Sequence, residues 1–219
     1  MDNFHKLIEG FHNFKQTYFL KERQYFESLE KAQNPKTLVV ACCDSRVDPA
    51  ILLHCKPGDL FVIRNVAALV PAVTQASNPC SVMSAIEYGV KHLNVEHIVV
   101  MGHSHCGGIH GLMAPETIAG ETYIQDWVGI ASPALERLQA ITGDEDEKTR
   151  SRHCEEGAVL ISLDNLLSYP WIAERVKNGQ LKLHALYYDL SEGNLYRFSP
   201  ESEDFELLFH SEKIDVCDR

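Results

Sequence analysis

The sequence lacks the features of a membrane-spanning, secreted or nucleic-acid-binding protein. It contains no run of about 18 or more apolar residues, so no helix is expected to cross a membrane. Its 20 lysines and arginines are outnumbered by 31 aspartates and glutamates, and a net charge of −11 disfavours contact with a nucleic-acid backbone. The first residues, MDNFHKLIEGFHNFK, show no secretory or organelle-targeting pattern. We therefore expect a cytoplasmic protein with no membrane or nucleic-acid partner.

Cysteine is present, but not in the pattern of a disulfide-stabilised protein. The seven cysteines are an odd number without regular spacing, so we expect a reducing compartment and thiols that are free or bind a metal. A chain of 219 residues that is 45% hydrophobic can bury a substantial core without disulfides. No repeat or flexible linker divides the sequence, and we expect a single domain over residues 1–219.

Short β-branched runs alternate with helical patterns along most of the chain. Continuous apolar runs predict buried strands of a parallel sheet at 37–42, 60–63, 97–101 and 181–189, with a hairpin partner at 195–198. Helices are predicted at 77–93, 124–141, 150–167 and 170–177, the first of them with a cap and a first-turn proline in Ser77-Asn78-Pro79. This alternation predicts an α/β fold with a mainly parallel central β-sheet flanked by helices.

The first 31 residues have a different pattern. Five apolar residues recur at helical spacing and predict an amphipathic helix: Phe4, Leu7, Ile8, Phe11 and Phe14. A second helix is predicted at 16–31. We expect residues 1–31 to form an N-terminal helical arm whose apolar face docks either on the chain's own core or on a partner subunit.

Metal-binding residue types follow two of the predicted strands. Cys42 ends the first strand, and His103 and Cys106 follow the third. The carboxyl ends of parallel strands meet at one edge of the sheet, where ligands bind in open α/β folds. Thiolate and imidazole are the ligands that zinc prefers, and three protein ligands leave the fourth tetrahedral position open for water. The pattern therefore predicts one catalytic zinc ion per subunit.

The residues around these ligands decide whether the site is catalytic. Cys43 and His105 are adjacent, and a fourth protein ligand would make the site structural. Successive strand residues point to opposite faces, so Cys43 is expected to point away from the ligands. Asp44 is placed to accept a hydrogen bond from water at the metal. Arg46 beside it would keep that carboxylate ionised and oriented.

The same residues resemble the paired signature of the β-class carbonic anhydrases. The signature is carried by Cys42-x-Asp44-Ser45-Arg46 and by His103-x-x-Cys106-Gly107-Gly108. The resemblance extends to 57–67, 84–88, 162–170 and 187–189, and covers about residues 30 to 198. It implies a zinc-dependent lyase that reversibly hydrates carbon dioxide to bicarbonate and a proton, with hydroxide generated at the zinc as nucleophile.

The resemblance also implies a role for each matching residue. Cys42, His103 and Cys106 match the zinc ligands, whereas Asp44 and Arg46 match the catalytic carboxylate–arginine pair. The residues that match the family's substrate site are Gln33, Phe61, Val66, Tyr88 and Gly107. In the family, the glutamine and the apolar wall lie at a subunit boundary, which implies a homodimer or a higher homo-oligomer.

One position departs from part of the family. Some bacterial members have a tryptophan three residues before the first ligand, where it contributes to a non-catalytic bicarbonate site. Here that residue is Val39, although Arg64 and Tyr188 match the other members of that site. We therefore expect a plant-like protein that bicarbonate does not regulate.

Two alternatives to carbon dioxide hydration stay open. The first is hydrolysis of carbonyl sulfide or carbon disulfide on the same scaffold, because the zinc site would be the same. The second is a non-catalytic zinc or redox module, which predicts a fourth protein ligand or a disulfide between Cys42 and Cys106. The presence of Asp44 and Arg46 disfavours this module, since a closed site has no use for the pair.

Overall fold

The computed structural model describes residues 2–76, 79–140 and 146–208. The predicted cap residues Ser77 and Asn78, the predicted helix end at residue 141 and Cys217 lie outside the described residues. The chain forms two compact units, one ending at Asn34 and the other beginning at Pro35. Among the described residues, no helix combines the length and the hydropathy that crossing a bilayer requires.

The N-terminal unit is helical, as its apolar spacing predicts. Helix α1 spans Asn3–Phe14, a π-helical turn spans Lys15–Phe19, and helix α2 spans Arg23–Lys31. Helix α2 begins later than predicted because the wider π turn intervenes. The rings of Phe14, Tyr18 and Phe26 pack edge to face, with centroids 5.4 to 5.8 Å apart. Four apolar side chains of α1 are more than half exposed: Phe4, Leu7, Ile8 and Phe11.

A six-stranded sheet forms the centre of the second unit. Its strands are β1 Thr37–Cys42, β2 Leu60–Asn65, β3 His97–His103, β4 Lys182–Asp189, β5 Asn194–Ser199 and β6 Asp204–Leu207. They lie in the order β2-β1-β3-β4-β5-β6, parallel from β2 to β4 and antiparallel at β5 and β6. The predicted α/β fold with a mainly parallel sheet is confirmed. The sequence does not predict β6, in which only Phe205 is buried.

Helices fill the connections between these strands. They are α3 Pro49–Leu52, α4 Ser81–Lys91, α5 Gly107–Met113, α6 Thr122–Val128, α7 Ser132–Ala140, α8 Glu147–Leu167 and α9 Pro170–Lys177, with 3₁₀ turns at Val66–Ala68, Pro115–Ile118 and Gly129–Ala131. The single helix predicted at 124–141 is wrong. Pro133 cannot donate a backbone hydrogen bond, and its ring would clash with the carbonyl of Gly129 in a continuous helix. The chain therefore breaks into α6 and α7.

The sheet is buried on both faces, and its edge positions the predicted ligands. Leu38 and Val40 of β1 belong to a core cluster shared with α4, α8 and α9, whereas Val39 and Ala41 belong to a separate cluster. This alternation is that of a strand covered on both sides. Strands β1 and β3 are parallel neighbours, so they end at the same edge of the sheet.

Candidate metal centre

Three predicted ligands meet at the carboxyl edge of the sheet. Strands β1 and β3 pair through Ala41 and Met101, and Cys42 and His103 follow on these adjacent strands. The turn after β3 then brings Cys106 back as the N-cap residue of α5. The candidate ligand atoms of these two cysteines and the histidine lie within 4.8 Å of one another, and all three residues are buried. No other group of this kind occurs in the part of the chain that the structure describes.

The imidazole of His103 is oriented to bind a metal through Nε2. Its Nδ1 lies 2.8 Å from the carbonyl oxygen of Ser104, which assigns the proton to Nδ1 and the lone pair to Nε2. Nε2 is buried and has no hydrogen-bond partner among the described residues. A buried polar atom without a partner is costly, and a metal ion would remove that cost. With two cysteine sulfurs beside it, this donor set fits zinc.

Backbone amides and a shared proton stabilise the two sulfurs. The Sγ of Cys42 accepts a hydrogen bond from the amide of Asp44 at 3.4 Å. The backbone amide of Ala67 also lowers the pKa of Cys42, and those of Gly108 and Ile109 act to lower the pKa of Cys106. A hydrogen bond from Cys106 lowers the pKa of Cys42 to about 4, against the effect of burial, and the same contact raises the pKa of Cys106. The pair therefore holds one thiolate at neutral pH, and metal binding would release the remaining proton.

Asp44 and Arg46 form an ion pair beside the ligands. Oδ1 of Asp44 accepts hydrogen bonds from the backbone nitrogen and Nε of Arg46, both at 2.9 Å, and Oδ2 accepts from Nη2 at 2.6 Å. These bonds hold the pKa of Asp44 well below its usual range. A carboxylate offers about four lone-pair positions, so Oδ2 keeps one for a water molecule. The Asp44 side chain is 16% exposed, which gives water access to it.

Arg46 also connects this ion pair to the turn that carries the ligands. Its Nη2 donates to the carbonyl oxygen of His105 at 3.1 Å. His105 has a φ of 57°, in the left-handed region that residues other than glycine rarely adopt. From the other side, the hydroxyl of Ser104 accepts a hydrogen bond from the amide of Leu190 at 2.8 Å. The turn is thus held in a strained conformation by two separate parts of the fold.

Neither neighbouring candidate closes the site. Cys43 is exposed, whereas Cys42 before it is buried. The side chain of His105 is also exposed, and its Nε2 lies 3.4 Å from Oγ of Ser191. Neither residue belongs to the group of converging ligand atoms. Cys42 and Cys106 form no disulfide, so the described residues contain neither the fourth ligand nor the disulfide that a non-catalytic module would require.

Two predicted substrate-site residues lie next to the ligands. Val66 packs against the apolar cluster that contains Cys42 and Cys106. Gly107 is exposed at the start of α5, and a Cβ added there would meet no atom within 4 Å. The ligands are therefore bordered by an apolar side chain and by a backbone position that opens onto free space.

Phe61 and Tyr88, two other predicted substrate-site residues, are not brought to the ligands. Phe61 pairs with Leu38 on β1, four residues before Cys42, which is about 13 Å along a strand. Tyr88 of α4 is 45% exposed, and its ring centroid lies 6.1 Å from that of Phe61. Gln33 is an exposed residue of the N-terminal unit. Within one chain, Phe61 and Tyr88 therefore form an aromatic pair away from the ligands.

The sequence does not predict a buried carboxylate that lies behind the turn between His103 and Cys106, which we call the ligand turn. Oε1 of Glu155 on α8 accepts a hydrogen bond from the amide of Cys106 at 3.1 Å, and Oε2 accepts one from the hydroxyl of Tyr187 at 2.7 Å. Glu155 is buried, and burial raises its pKa. Its spacing from Val159 and Ser162 places it on the buried face of α8. That periodicity is the signal by which the sequence could have revealed it.

The sequence also does not predict the strained turn that follows β2. Ala67 and Ala68 have φ angles of 62° and 55°, which is costly for residues with a Cβ. The side chain of Asn65 stabilises the turn, since it donates to the carbonyl of Leu69 at 2.9 Å and accepts from its amide at 2.8 Å. The turn places Ala67 in the buried cluster that contains Cys42, and the Ala67 amide lowers the pKa of the Cys42 thiol.

Comparison with known proteins agrees with this site. Residues 37–195, which include all three predicted ligands, match the family model described as carbonic anhydrase. The chain is 40% identical over 189 residues to β carbonic anhydrase 5, chloroplastic, of Arabidopsis thaliana, covering 86% of this chain and 62% of that protein. It is 40% identical over 196 residues to β carbonic anhydrase 3 of the same plant, covering 88% and 76%. The chain thus spans less than two thirds of the length of the first relative.

Solved structures agree with the family model. The β-carbonic anhydrase CcaA superimposes with a TM-score of 0.90 at 31% identity, covering 94% of this chain and all of that chain. One of two tetrameric β-carbonic anhydrases from the filamentous ascomycete Sordaria macrospora gives 0.77 at 29% identity, covering 91% and 98%. The chain therefore belongs to the β class of the carbonic anhydrase family and is plant-like within it, as the two cysteine- and histidine-containing motifs predict.

Proposed function

We propose that this protein catalyses the reversible hydration of carbon dioxide to bicarbonate and a proton, with one zinc ion per chain held by Cys42, His103 and Cys106. The observation that carries the proposal is the convergence of two cysteine sulfurs with the unpartnered Nε2 of His103, beside an ionised Asp44. Membership of the family supports the same activity, since the relatives described above are all named carbonic anhydrases.

The substrate sets the demands on the site. Carbon dioxide is small, apolar and electrophilic, so its hydration requires a strong nucleophile and little binding energy. Zinc bound in such a site supplies that nucleophile at neutral pH, because it lowers the pKa of water from 15.7 toward about 7. The side chain of Val66 then provides an apolar wall for the substrate. The amide of Gly107 can donate a hydrogen bond to the negative charge that develops as bicarbonate forms.

Asp44 orients the attacking water. Because Arg46 keeps its pKa low, the carboxylate stays ionised and can only accept hydrogen bonds. The lone pair left on Oδ2 accepts a hydrogen bond from the water and thereby turns the oxygen of that water toward the substrate. A neutral carboxyl group at this position would donate instead, and the water would be misoriented.

Arg46 holds Asp44 in the orientation that this role requires. Its three hydrogen bonds prevent the carboxylate from rotating toward the cysteines, where it would become a fourth ligand and close the site. The further bond to the carbonyl of His105 fixes the ion pair relative to the ligand turn. Arg46 therefore acts on both the water-orienting group and the ligands.

We propose that the active form is a homodimer or a higher homo-oligomer. Phe61 and Tyr88 are remote from the ligands of their own chain, although the family pattern gives both a place beside the substrate. A second copy can supply them, together with Gln33. A tetrameric structural relative supports this arrangement. In it, residues 1–31 would form an arm on the partner subunit, and residues 1–219 would act as one domain.

The compartment is proposed from the sequence. The seven cysteines show no disulfide spacing, which is typical of a reducing compartment and favours the cytoplasm. The Arabidopsis relatives include proteins named chloroplastic and mitochondrial, so membership of the family does not fix the compartment. Fluorescence microscopy of the chain with a reporter fused to its C-terminus would decide it, and organellar fluorescence would contradict the cytoplasmic proposal.

Metal analysis and stopped-flow hydration on one purified sample test the proposed activity. We expect about one zinc per chain and rapid hydration, both lost on treatment with a strong chelator and regained when zinc is added. Zinc with turnover of carbonyl sulfide or carbon disulfide but no hydration would instead support the alternative hydrolase. Zinc with none of these activities would support the non-catalytic module. Either result would contradict carbon dioxide hydration.

A further inference from the structure

We propose that Glu155 and Tyr187 are positioning residues that fix the zinc ligand Cys106 from behind the metal centre. The inference rests on the zinc site proposed above. Glu155 is not itself a candidate ligand, because one carboxylate oxygen accepts from the amide of Cys106 at 3.1 Å and the other from the hydroxyl of Tyr187 at 2.7 Å. We call these three groups the Glu155 clamp.

A carboxylate has a specific purpose at this position. Cys106 is 3% exposed and is the N-cap residue of α5, and its amide donates to Glu155. Without the carboxylate, that buried amide would lose its partner, which is costly. A carboxylate also accepts a stronger hydrogen bond than a neutral amide oxygen does. Glu155 is itself only 5% exposed, so its burial is tolerable only because both oxygens have donors.

The clamp acts on the sulfur through the backbone of Cys106. Fixing the amide fixes the N-cap conformation of this residue, with φ −71° and ψ 116°. In that conformation the sulfur converges with the ligand atoms of Cys42 and His103, all within 4.8 Å of one another. Groups that orient a metal ligand in this way affect metal affinity about 10- to 100-fold in known sites.

The clamp also joins the ligand turn to two rigid elements. Glu155 lies within the 21-residue helix α8, and Tyr187 lies on β4, where it pairs with Gly102 of β3. Glu155, Tyr187 and Cys106 all line a cavity of about 570 Å³. On the side of this cavity, the hydrogen bonds of the clamp face open space, and weakening them should allow the sulfur to move.

The chain provides a matched control in the next residue of the same helix. Glu156 is also buried, at 7% exposure, but its Oε1 accepts from Nε of Arg152 at 2.8 Å. Among the described contacts, Glu156 makes no hydrogen bond to the ligand turn. Glu155→Gln and Glu156→Gln therefore make the same chemical change in neighbouring buried carboxylates, and only the first alters the clamp.

The test measures zinc affinity by chelator competition in wild type, Glu155→Gln, Glu156→Gln and Tyr187→Phe, together with the melting temperature of each metal-free protein. We expect Glu155→Gln to bind zinc about 10- to 100-fold more weakly, Tyr187→Phe to show a smaller loss, and Glu156→Gln to stay within about twofold of wild type. The proposal is overturned if Glu155→Gln keeps wild-type affinity, or if both glutamine variants lose affinity equally.

Two further outcomes are distinguishable. If Glu155→Gln does not fold, Tyr187→Phe decides, because it removes only the hydroxyl; unchanged zinc affinity in that variant would refute the clamp. If wild type itself fails to bind zinc, the proposed metal centre is wrong, and the clamp is refuted with it. Zinc binding by wild type with no effect in the clamp variants refutes the clamp alone.

Discussion

Arg46 donates four hydrogen bonds, three to the carboxylate of Asp44 and one to the carbonyl oxygen of His105. The first partner can be predicted from the sequence, because the two residues lie two positions apart beside a ligand. The second cannot, because it depends on the left-handed conformation of His105. At the scale of residues, the ligands are thus evident from residue type and spacing. The groups that orient them, such as Glu155, depend on contacts between distant segments.

Replacing Arg46 tests this orienting role. In Arg46→Ala, Asp44 loses its side-chain donors and becomes free to rotate, so we expect turnover to fall by about 100-fold. The three ligands are untouched, so zinc content should stay at the wild-type level. Stopped-flow hydration measures the turnover, and metal analysis measures the zinc content. Arg197→Ala, which removes an exposed arginine on β5, serves as control, and turnover in Arg46→Ala as high as in that control would contradict the role.

Arg64 supports the expectation that bicarbonate does not regulate the protein. Its guanidinium donates to four acceptors: the carbonyl oxygens of Cys42, Asp44 and Val47 and the carboxylate of Asp48. With those donors engaged, and with Val39 fully buried in place of a tryptophan, Arg64 is poorly placed to bind a further anion. We expect hydration to show no cooperative inhibition as bicarbonate is raised at mildly acidic pH. A sigmoidal loss of activity would contradict this prediction.

Helices α5 and α9 show what can be predicted at the scale of elements. Helix α9 matches its predicted bounds because Pro170 begins it and basic residues occupy its last turn. Helix α5 is not predicted because its sequence, GGIHGLM, has low helix propensity. Gly108 allows close packing instead, since a Cβ there would lie 2.6 Å from Cγ1 of Val66. Tertiary contacts that a single sequence does not display thus override local preference.

A pair of histidines on the neighbouring strands β3 and β4 predicts that the stability of the protein depends on pH. They place Nδ1 of His97 3.0 Å from Nε2 of His184. Burial lowers the pKa of His184, helped by the charges of His97, Arg197 and Lys182. A histidine with a depressed folded pKa adds stability above its unfolded pKa of about 6.5. That contribution is lost as the pH falls through the pKa of His184 in the folded state, because the unfolded chain takes up the proton at a higher pH.

Urea unfolding at several pH values measures this effect. We expect the free energy of unfolding of wild type to decrease below about pH 6.5. The decrease should be smaller in His184→Gln, whose side chain does not titrate. Groups other than the contacting His97 contribute equally to both proteins, so the difference between the two curves isolates this histidine pair. If the free energies of unfolding of the two proteins run parallel across the whole pH range, His184 does not contribute to the pH dependence.

At the scale of the whole molecule, one chain leaves parts of the predicted site apart. Phe61 and Tyr88 form an aromatic pair about four strand residues from the ligand edge, and α1 exposes four apolar side chains. The family resemblance identifies Phe61 and Tyr88, and helical spacing identifies the apolar face of α1, but neither says which copy of the chain uses them. A two-fold symmetric dimer can bring the pair of one subunit to the ligands of the other.

Mixing two inactive variants tests this sharing. If each site takes Arg46 from one chain and Tyr88 from the other, a mixed dimer of Arg46→Ala and Tyr88→Ala contains one intact site. Random pairing makes half of the dimers mixed, and each mixed dimer has one intact site out of two. Co-expression should therefore restore about a quarter of wild-type turnover. Each variant expressed alone is the control. Activity no higher than the average of the two variants alone would mean that each site lies within a single chain.

X-ray absorption at the zinc edge of the purified protein tests the central claim most directly. The account predicts a shell of two sulfurs at about 2.3 Å and two lighter atoms at about 2.0 to 2.1 Å. One lighter atom would come from His103 and the other from solvent. A sample without zinc, or a shell with a third sulfur, would contradict the proposal that this chain holds a catalytic zinc with one open position.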